Sequence, residues 1–280
     1  MAANKYRVIL LFLTLLITIG AAQGFCGTIN TKVTSHTTIL SDGKINIQYE
    51  IGNTGDDTAY HMTVTTFLGL DAQKSDDLGN NPPGGSMRYN CALQPSALKP
   101  GKYTLVARIS FSEQNGAAHK VYHFSPIPYH MEKSMEVKGG LNVSLTDPYF
   151  RAKSLWQSGN TCKLSLENNL DLAIQPVVSL YLPDGFVTKE PERSYQLAPG
   201  EKKEVLVPFE MEYPVKVSKP FYALVWYEHN GSHVSHLIEG AIRVEEKPFY
   251  FKAFLIMMGV ALVIVAVVFF LRRKNPTNKE

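Results

Sequence analysis

Cysteine is scarce in this sequence, which has only Cys26, Cys91 and Cys162 among 280 residues. Three thiols allow at most one intramolecular disulfide, so a fold held together mainly by disulfides is excluded. Cys162 alternates in phase with two leucines in residues 161–166, which is typical of a small buried hydrophobic residue. Cys91 lies in a predicted strand, and Cys26 opens the same segment of chain. We therefore predict a Cys26–Cys91 disulfide.

The short motifs of common catalytic chemistry are also missing. There is no His-Glu-x-x-His, no Gly-x-Ser-x-Gly nucleophile elbow and no glycine-rich phosphate loop. The leading hypothesis is a protein that is not an enzyme and needs no cofactor. A hydrolytic enzyme of unrecognised type stays open as an alternative.

A large excess of charge of one sign is absent too. The formal net charge is +3, with a sequence pI of about 8.6. The basic excess lies at the chain ends, in residues such as Arg7, Arg272 and Arg273, and leaves the long middle segment close to neutral. The electrostatic footprint of a nucleic-acid-binding protein is therefore missing.

The beginning of the chain has the order of a secretory signal. Lys5 and Arg7 precede an apolar run at residues 8–19, and small residues at 20–24 offer two cleavage sites. We predict a signal peptide over residues 1–24 and a mature chain that begins at residue 23 or 25. Two alternatives remain open, namely an uncleaved membrane helix and a lipid-modified Cys26.

The end of the chain has the pattern of a membrane anchor. Residues 253–271 contain no ionisable side chain, and as a helix they span roughly 28 Å, the thickness of a hydrocarbon core. Basic residues at 272–274 mark the cytoplasmic side. We predict a transmembrane helix over 252–271 in the lipid bilayer, a cytoplasmic tail at 272–280, and type I topology with a periplasmic or extracellular ectodomain.

The segment between these ends has the periodicity of strands. Residues 43–51 alternate polar and apolar side chains, the pattern of a sheet with one wet face. Further strands are predicted at 103–111, 161–166, 177–182, 204–209 and 222–227. No stretch of helical period interrupts them. The predicted fold class is therefore an all-β ectodomain of two tandem antiparallel β-sandwiches.

An internal repeat supports two similar halves. Each half has an Asn-rich turn that leads to a strand, at residues 53–59 and at 168–173. Each also has a Leu-x-Pro-Gly turn, at 98–101 and at 197–200, and we predict that these two turns correspond.

These segments carry a family resemblance. Residues 51–70 and 98–111 resemble the CARDB modules, and residues 162–209 resemble the NEW3 modules, both Ig-like modules of bacterial and archaeal exported proteins. The resemblance implies Ig-like sandwiches that act as spacers or binding modules. We place the first sandwich at 25–137 and the second at 138–247.

Binding residues are predicted in two places. Residues 70–86 form the longest irregular stretch and are rich in Asp, Asn, Gly and Pro, as binding loops often are. There we select Asp76, Asp77, Asn80 and Asn81. Aromatic residues near the C-terminal end of the ectodomain, Trp226 and Tyr227, form the second candidate surface. The predicted partner is a protein or a polysaccharide at the outer face of the membrane.

Clustered histidines provide the alternative function. His229, His233 and His236 flank Asn230-Gly231, which predicts a hairpin turn. His229 and His233 are expected to lie close together across this turn. The alternative hypothesis is an accessory membrane subunit that binds a metal through these side chains.

Overall fold

The computed structural model describes residues 27–69, 71–95, 98–130, 140–146, 149–152, 159–212 and 218–244, together with 254, 257–259, 261 and 263. The described part between 27 and 244 contains strands and no helix, which confirms the all-β prediction. The first seven strands are β1 Thr31–Ile39, β2 Ile45–Asn53, β3 Tyr60–Leu68, β4 Asp71–Lys74, β5 Ser86–Leu93, β6 Gly101–Ser112 and β7 Ala118–Tyr129. The others are β8 Leu141–Leu145, β9 Tyr149–Ala152, β10 Gly159–Asn168, β11 Val177–Tyr181, β12 Phe186–Val187, β13 Glu192–Ser194, β14 Lys202–Met211, β15 Lys219–His229 and β16 Ser232–Val244.

The chain divides into two compact units. The first unit comprises the chain up to Pro95 together with Val106–His123, and the second comprises Ser96–Leu105 and the chain from Phe124. Strands β6 and β7 therefore contribute residues to both units. The predicted boundary between the two sandwiches, after residue 137, lies outside the described residues, so the sandwich limits stay predictions.

The first unit is sandwich-like. One sheet has the order β1-β2-β5, and a second contains β4, β3, β6 and β7. In β2 every second residue is buried, including Ile45, Ile47 and Tyr49, and each such side chain contributes about 1.5–3 kcal/mol by leaving water. The Tyr49 hydroxyl lies 3.1 Å from Thr66 Oγ1 of β3 and joins the two sheets by a buried hydrogen bond.

The second unit is built in the same way. One sheet has the order β12-β14-β10-β8, and the other contains β13, β11, β15 and β16. Strand β9 pairs in parallel with β16 at the end of the second sheet. Apolar residues of both sheets form one buried core, with Leu164 and Val207 from the first sheet and Val178, Ala223 and Val225 from the second.

A buried asparagine closes one end of the first unit. Asn53 Nδ2 donates to the carbonyl oxygen of Asp57 at 2.7 Å and to that of Asn81 at 2.9 Å. Its Oδ1 accepts the amide of Gly55 at 3.1 Å, and its main-chain oxygen accepts the amide of Gly84 at 2.8 Å. One side chain thus holds two turns together, because its amide bonds main-chain groups of both.

Asn168 has the same role in the second unit. Its Nδ2 donates to the carbonyl oxygens of Leu172 at 2.9 Å and of Ala198 at 2.9 Å. Its Oδ1 accepts the amide of Leu170 at 3.1 Å, and its main-chain oxygen accepts the amide of Gly200 at 2.8 Å. The two halves of the chain therefore share one hydrogen-bonding pattern at the Asn-rich turn.

The partner turn of this repeat was predicted at the wrong place in the first half. The turn that corresponds to 197–200 is at 81–85, since Gly84 and Gly200 make the equivalent bonds to Asn53 and Asn168. The sequence favoured residues 98–101 because, in the first half of the chain, only these residues have the Leu-x-Pro-Gly pattern. Gly101 instead starts β6 opposite His233, with a φ of 150°, and a β-carbon there would lie 2.1 Å from the His233 oxygen.

Several predictions concern residues outside the described part. They are the signal peptide at 1–24, Cys26, the tail at 272–280 and most of the segment 252–271. No helix among the described residues is long and apolar enough to cross a bilayer. Cys91 and Cys162 are both buried, and they are not bonded to each other. The Cys26–Cys91 disulfide stays a prediction because Cys26 is not described.

Replacement of Asn168 tests its role in the second unit. Asn168→Ala leaves the buried Leu170 amide without its acceptor and the Leu172 carbonyl oxygen without its side-chain donor, so we expect the free energy of unfolding to fall by about 2–3 kcal/mol. The exposed neighbour Asn169 is the matched control, and Asn169→Ala is expected to change stability by less than about 0.5 kcal/mol. Urea denaturation measures both, and equal effects of the two substitutions would contradict this role.

Candidate functional site

The histidine-rich segment of the second unit is a tight hairpin, as predicted. Asn230 and Gly231 connect β15 to β16 with φ angles of 49° and 75°. Positive φ at both central residues is the requirement of a type I′ turn, which Asn-Gly satisfies with little strain. In the resulting register His229 lies opposite Ser232.

This register corrects the predicted histidine pair. Glu228 is the residue opposite His233, so His229 and His233 point to opposite faces of the sheet because side chains alternate along a strand. His229 Nε2 instead lies 3.0 Å from Asn230 Nδ2. Within the described chain no three His, Cys, Asp or Glu side chains are grouped to hold a metal ion.

Three aromatic rings form a stack on the face of the hairpin that points away from the core of the second unit. The His233 ring lies 3.8 Å from that of Tyr103 and parallel to it within 1°. On the other side the Trp226 ring centroid is 5.4 Å away. Lys99 forms an ion pair with Glu228 beside this stack, and the Tyr103 hydroxyl donates to the Lys99 carbonyl oxygen at 3.0 Å. Residues 98–105 of the second unit are thereby fastened to the hairpin.

Burial keeps the stacked histidine neutral. It lowers the pKa of His233 from 6.5 to about 4, and the nearby Glu228 carboxylate opposes this effect only in part. Burial likewise raises the pKa of Tyr103 to about 12. Near neutral pH the stack is therefore composed of uncharged rings, whose contribution is packing and not acid–base chemistry.

The two aromatic residues selected from the sequence have different environments. Tyr227 is fully buried in the core of the second unit, and its hydroxyl accepts the amide of Leu141 at 3.3 Å. Trp226 points to the other face and is half-buried. Tyr227 is thus a core residue, whereas part of the Trp226 side chain remains accessible to a partner.

The four polar residues selected in 70–86 also divide into two groups. Asp76, Asp77 and Asn80 are exposed. Asn81 is 0% exposed, and its Nδ2 donates to the Ile51 carbonyl oxygen at 3.0 Å. Asn81 is therefore a buried residue that stabilises the fold, which the polar character of the segment did not reveal.

This polar segment is more regular than the sequence predicts. It contains β4, and the chain beyond β4 follows β3 through main-chain hydrogen bonds. Ser75 N donates to Val64 O at 2.8 Å, and Leu78 N donates to Met62 O at 2.8 Å. Met62 N in turn donates to Gly79 O at 2.9 Å. We call residues 75–80 the acidic loop, and these bonds hold its main chain in place.

A histidine that the sequence did not single out completes the acidic loop. His61 has a φ of 52°, a conformation that L-residues rarely adopt, beside an irregularity in the pairing of β3 with β6. Its Nδ1 lies 2.9 Å from Asp77 Oδ2, and its amide donates to Asn80 Oδ1 at 3.2 Å. The bonds from His61 and Gly79 lower the pKa of Asp77. No local sequence pattern marks a strained residue 16 positions before its partner.

Comparison with known proteins adds little to this geometry. No family model matches the chain, and no curated protein matches it. Red sea bream transglutaminase aligns at 12% identity and a TM-score of 0.27, over 78% of this chain and 31% of its own. A Porphyromonas gingivalis W83 protein of unknown function aligns at 12% identity and a TM-score of 0.31, over 77% of this chain and 99% of its own. Escherichia coli alpha-2-macroglobulin aligns at 9% identity and a TM-score of 0.29, over 76% of this chain and 17% of its own. Similarity this low leaves fold and function to be argued from the residues of this chain.

The stack makes stability depend on pH in a defined direction. Because the pKa of His233 is about 4 in the folded state and 6.5 ordinarily, protonation favours the unfolded chain. The stability conferred by the neutral ring is present above pH 6.5 and is lost as the pH falls towards 4. His233→Phe keeps a ring in the stack but cannot be protonated.

We expect the wild type to lose more stability than His233→Phe between pH 7 and about pH 4.5, as measured by thermal unfolding. The exposed His36 provides the control, and His36→Asn is expected to retain the wild-type pH dependence. Parallel pH profiles for the wild type and His233→Phe would contradict the role of this ring.

Proposed function

We propose that this chain is a non-catalytic, membrane-anchored protein whose two Ig-like sandwiches bind or position a partner outside the cytoplasm. The apolar segment 252–271 would anchor it, and the signal at 1–24 would export it. Two sandwich-like units with a shared hydrogen-bonding pattern support the modular part of this proposal. The resemblance to CARDB and NEW3 modules is consistent with a spacer or binding role.

The observation that carries the binding proposal is the acidic loop. Its main chain is bonded to β3, while Asp76 and Asp77 remain exposed. A segment that is already ordered loses little conformational entropy when a partner binds. Residues presented in this way are therefore suited to recognition, in contrast to the same residues on a mobile loop.

The chemistry of the loop favours a basic partner. Asp77 accepts hydrogen bonds from His61 and from the Gly79 amide, and both keep its carboxylate ionised. Asp76 adds a second carboxylate next to it. Carboxylates at fixed positions pair best with Arg or Lys side chains, so we propose a protein partner with a basic surface. A polysaccharide of the envelope is the other candidate, recognised through hydrogen bonds of its hydroxyls.

Trp226 supports a second contact in the other unit. Its ring is half-buried against His233, so only part of its surface is available. An aromatic ring fixed by a stack is a suitable apolar anchor for a partner. We propose that this surface adds to binding through the acidic loop and does not replace it.

The test is partner capture by crosslinking in intact membranes. Asp76→Asn with Asp77→Asn removes both charges but keeps the shape of the loop, and we expect capture to fall by about tenfold or more. Shortening the loop is a poorer test, because truncation through residue 81 also removes the buried Asn81.

The matched control is Asp171→Asn, which removes an exposed carboxylate from the Asn-rich turn of the second unit. Its capture yield is expected to equal that of the wild type. Full capture by the double variant of the acidic loop would overturn the proposal that this loop is the contact.

A further inference from the structure

A cavity of about 420 Å³ opens beside β16 in the second unit. Four consecutive residues of this strand, Ser235, His236, Leu237 and Ile238, all line it. Successive side chains of a strand point to opposite faces, so one face alone cannot reach all four. The cavity therefore runs along the edge of the strand and borders main-chain atoms as well as side chains.

The edge of β16 has strand partners on both sides of the cavity. Residues 233–234 pair in parallel with 101–102 of β6, and residues 241–244 pair in parallel with β9. In the described chain no strand pairs with residues 235–240 on this edge. The cavity thus coincides with an interruption in an otherwise paired edge.

The direction of the main-chain groups follows from one hydrogen bond. The His233 amide donates to the Pro100 carbonyl oxygen at 2.9 Å and therefore points away from β15. Residues two apart in an antiparallel ladder direct their amides to the same side. The amide and the carbonyl of Leu237, four residues on, consequently point into the cavity.

Side-chain hydroxyls mark the place where β6 separates from β16. The Ser235 hydroxyl donates to the Lys102 carbonyl oxygen at 3.1 Å, and the Thr104 hydroxyl lies 2.9 Å from that of Ser235. These side-chain contacts occupy the position where the next main-chain hydrogen bond between β6 and β16 would be expected. Beyond them no described strand pairs with the Leu237 main chain on this edge.

The walls of the cavity combine apolar surface with one cation. Phe124, Pro126, Val143 and Ile238 supply the apolar part, and the exposed Lys102 lies at the rim. An unpaired edge selects a ligand that offers main-chain donors and acceptors, and the apolar walls select its side chains.

We propose that this edge of β16 binds an extended peptide of a partner protein by strand addition, with apolar side chains in the cavity and an acidic residue beside Lys102. The four lining residues of β16 correspond to about 13 Å of strand, the length of a peptide of about four residues. This site is separate from the acidic loop, and its failure would leave the proposed function intact.

The test uses the full-length protein and a labelled tetrapeptide, acetyl-Glu-Val-Thr-Val-amide, with binding followed by fluorescence anisotropy. We expect saturable binding. The same peptide with N-methylated main-chain amides keeps every side chain but cannot pair with a strand, and it is expected to bind about tenfold more weakly.

Substitutions at Leu237 separate main-chain pairing from side-chain contact. Leu237→Pro removes the amide that points into the cavity, at an edge position where proline is tolerated, and is expected to weaken binding about tenfold. Leu237→Ala keeps the amide and is expected to bind within about threefold of the wild type. Thermal unfolding checks that both variants are folded.

A charge reversal keeps the proposal falsifiable if Leu237→Pro does not fold. Lys102→Glu is expected to weaken binding of the Glu peptide and to strengthen binding of the same peptide with Lys in place of Glu. Equal binding of the N-methylated peptide would show that the cavity takes a small apolar group, and this would overturn strand addition. Absence of saturable binding to the wild type would overturn it as well.

Discussion

The hydrogen bonds of two buried asparagine side chains organise the ends of the two units. Asn53 ends β2 and Asn168 ends β10, and each side-chain amide joins its own turn to a second turn far along the chain. A side-chain amide with two donors and one acceptor can satisfy several main-chain groups at once. A residue of similar size without this amide leaves the Gly55 and Leu170 main-chain amides without the side-chain oxygen that accepts them, so this position depends on chemistry and not on volume.

The position of the acidic loop follows from this constraint. Asn53 holds the carbonyl of Asn81, and Asn81 in turn donates to Ile51. The chain that precedes Asn81 is thereby fixed along β3, and its exposed carboxylates are presented from a rigid support. In the second unit the candidate surfaces are the stacked hairpin and the cavity beside β16.

Local patterns predicted the strands because burial imposes a period of two on their side chains. The alternation around Ile47 and the Asn-Gly turn at Asn230 are both properties of neighbouring residues, and both predictions were confirmed. The Leu-x-Pro-Gly pattern at 98–101 led to a wrong match between the two halves. The turn that corresponds to 197–200 in the first unit contains Pro82-Pro83-Gly84 and lacks this pattern. Sequence similarity of a turn does not fix which strand end it closes.

The candidate sites depend on contacts that are distant in sequence. Burial of Asn81 results from a bond to a strand 30 residues earlier. The His233 stack needs Tyr103 from more than a hundred positions away. A polar segment and an aromatic pair could therefore be selected from the sequence, but the buried members, Asn81 and Tyr227, could not be distinguished from the exposed ones.

Backbone amide hydrogen exchange tests most directly whether Asn53 holds the acidic loop. In the wild type we expect protection of the Leu78, Asn81 and Gly84 amides, each of which donates to a main-chain oxygen. Asn53→Ala is expected to abolish protection at these three positions while Gly200 of the second unit keeps its own. Exchange at the rate of an unstructured chain in the wild type, or unchanged protection in the variant, would contradict the account.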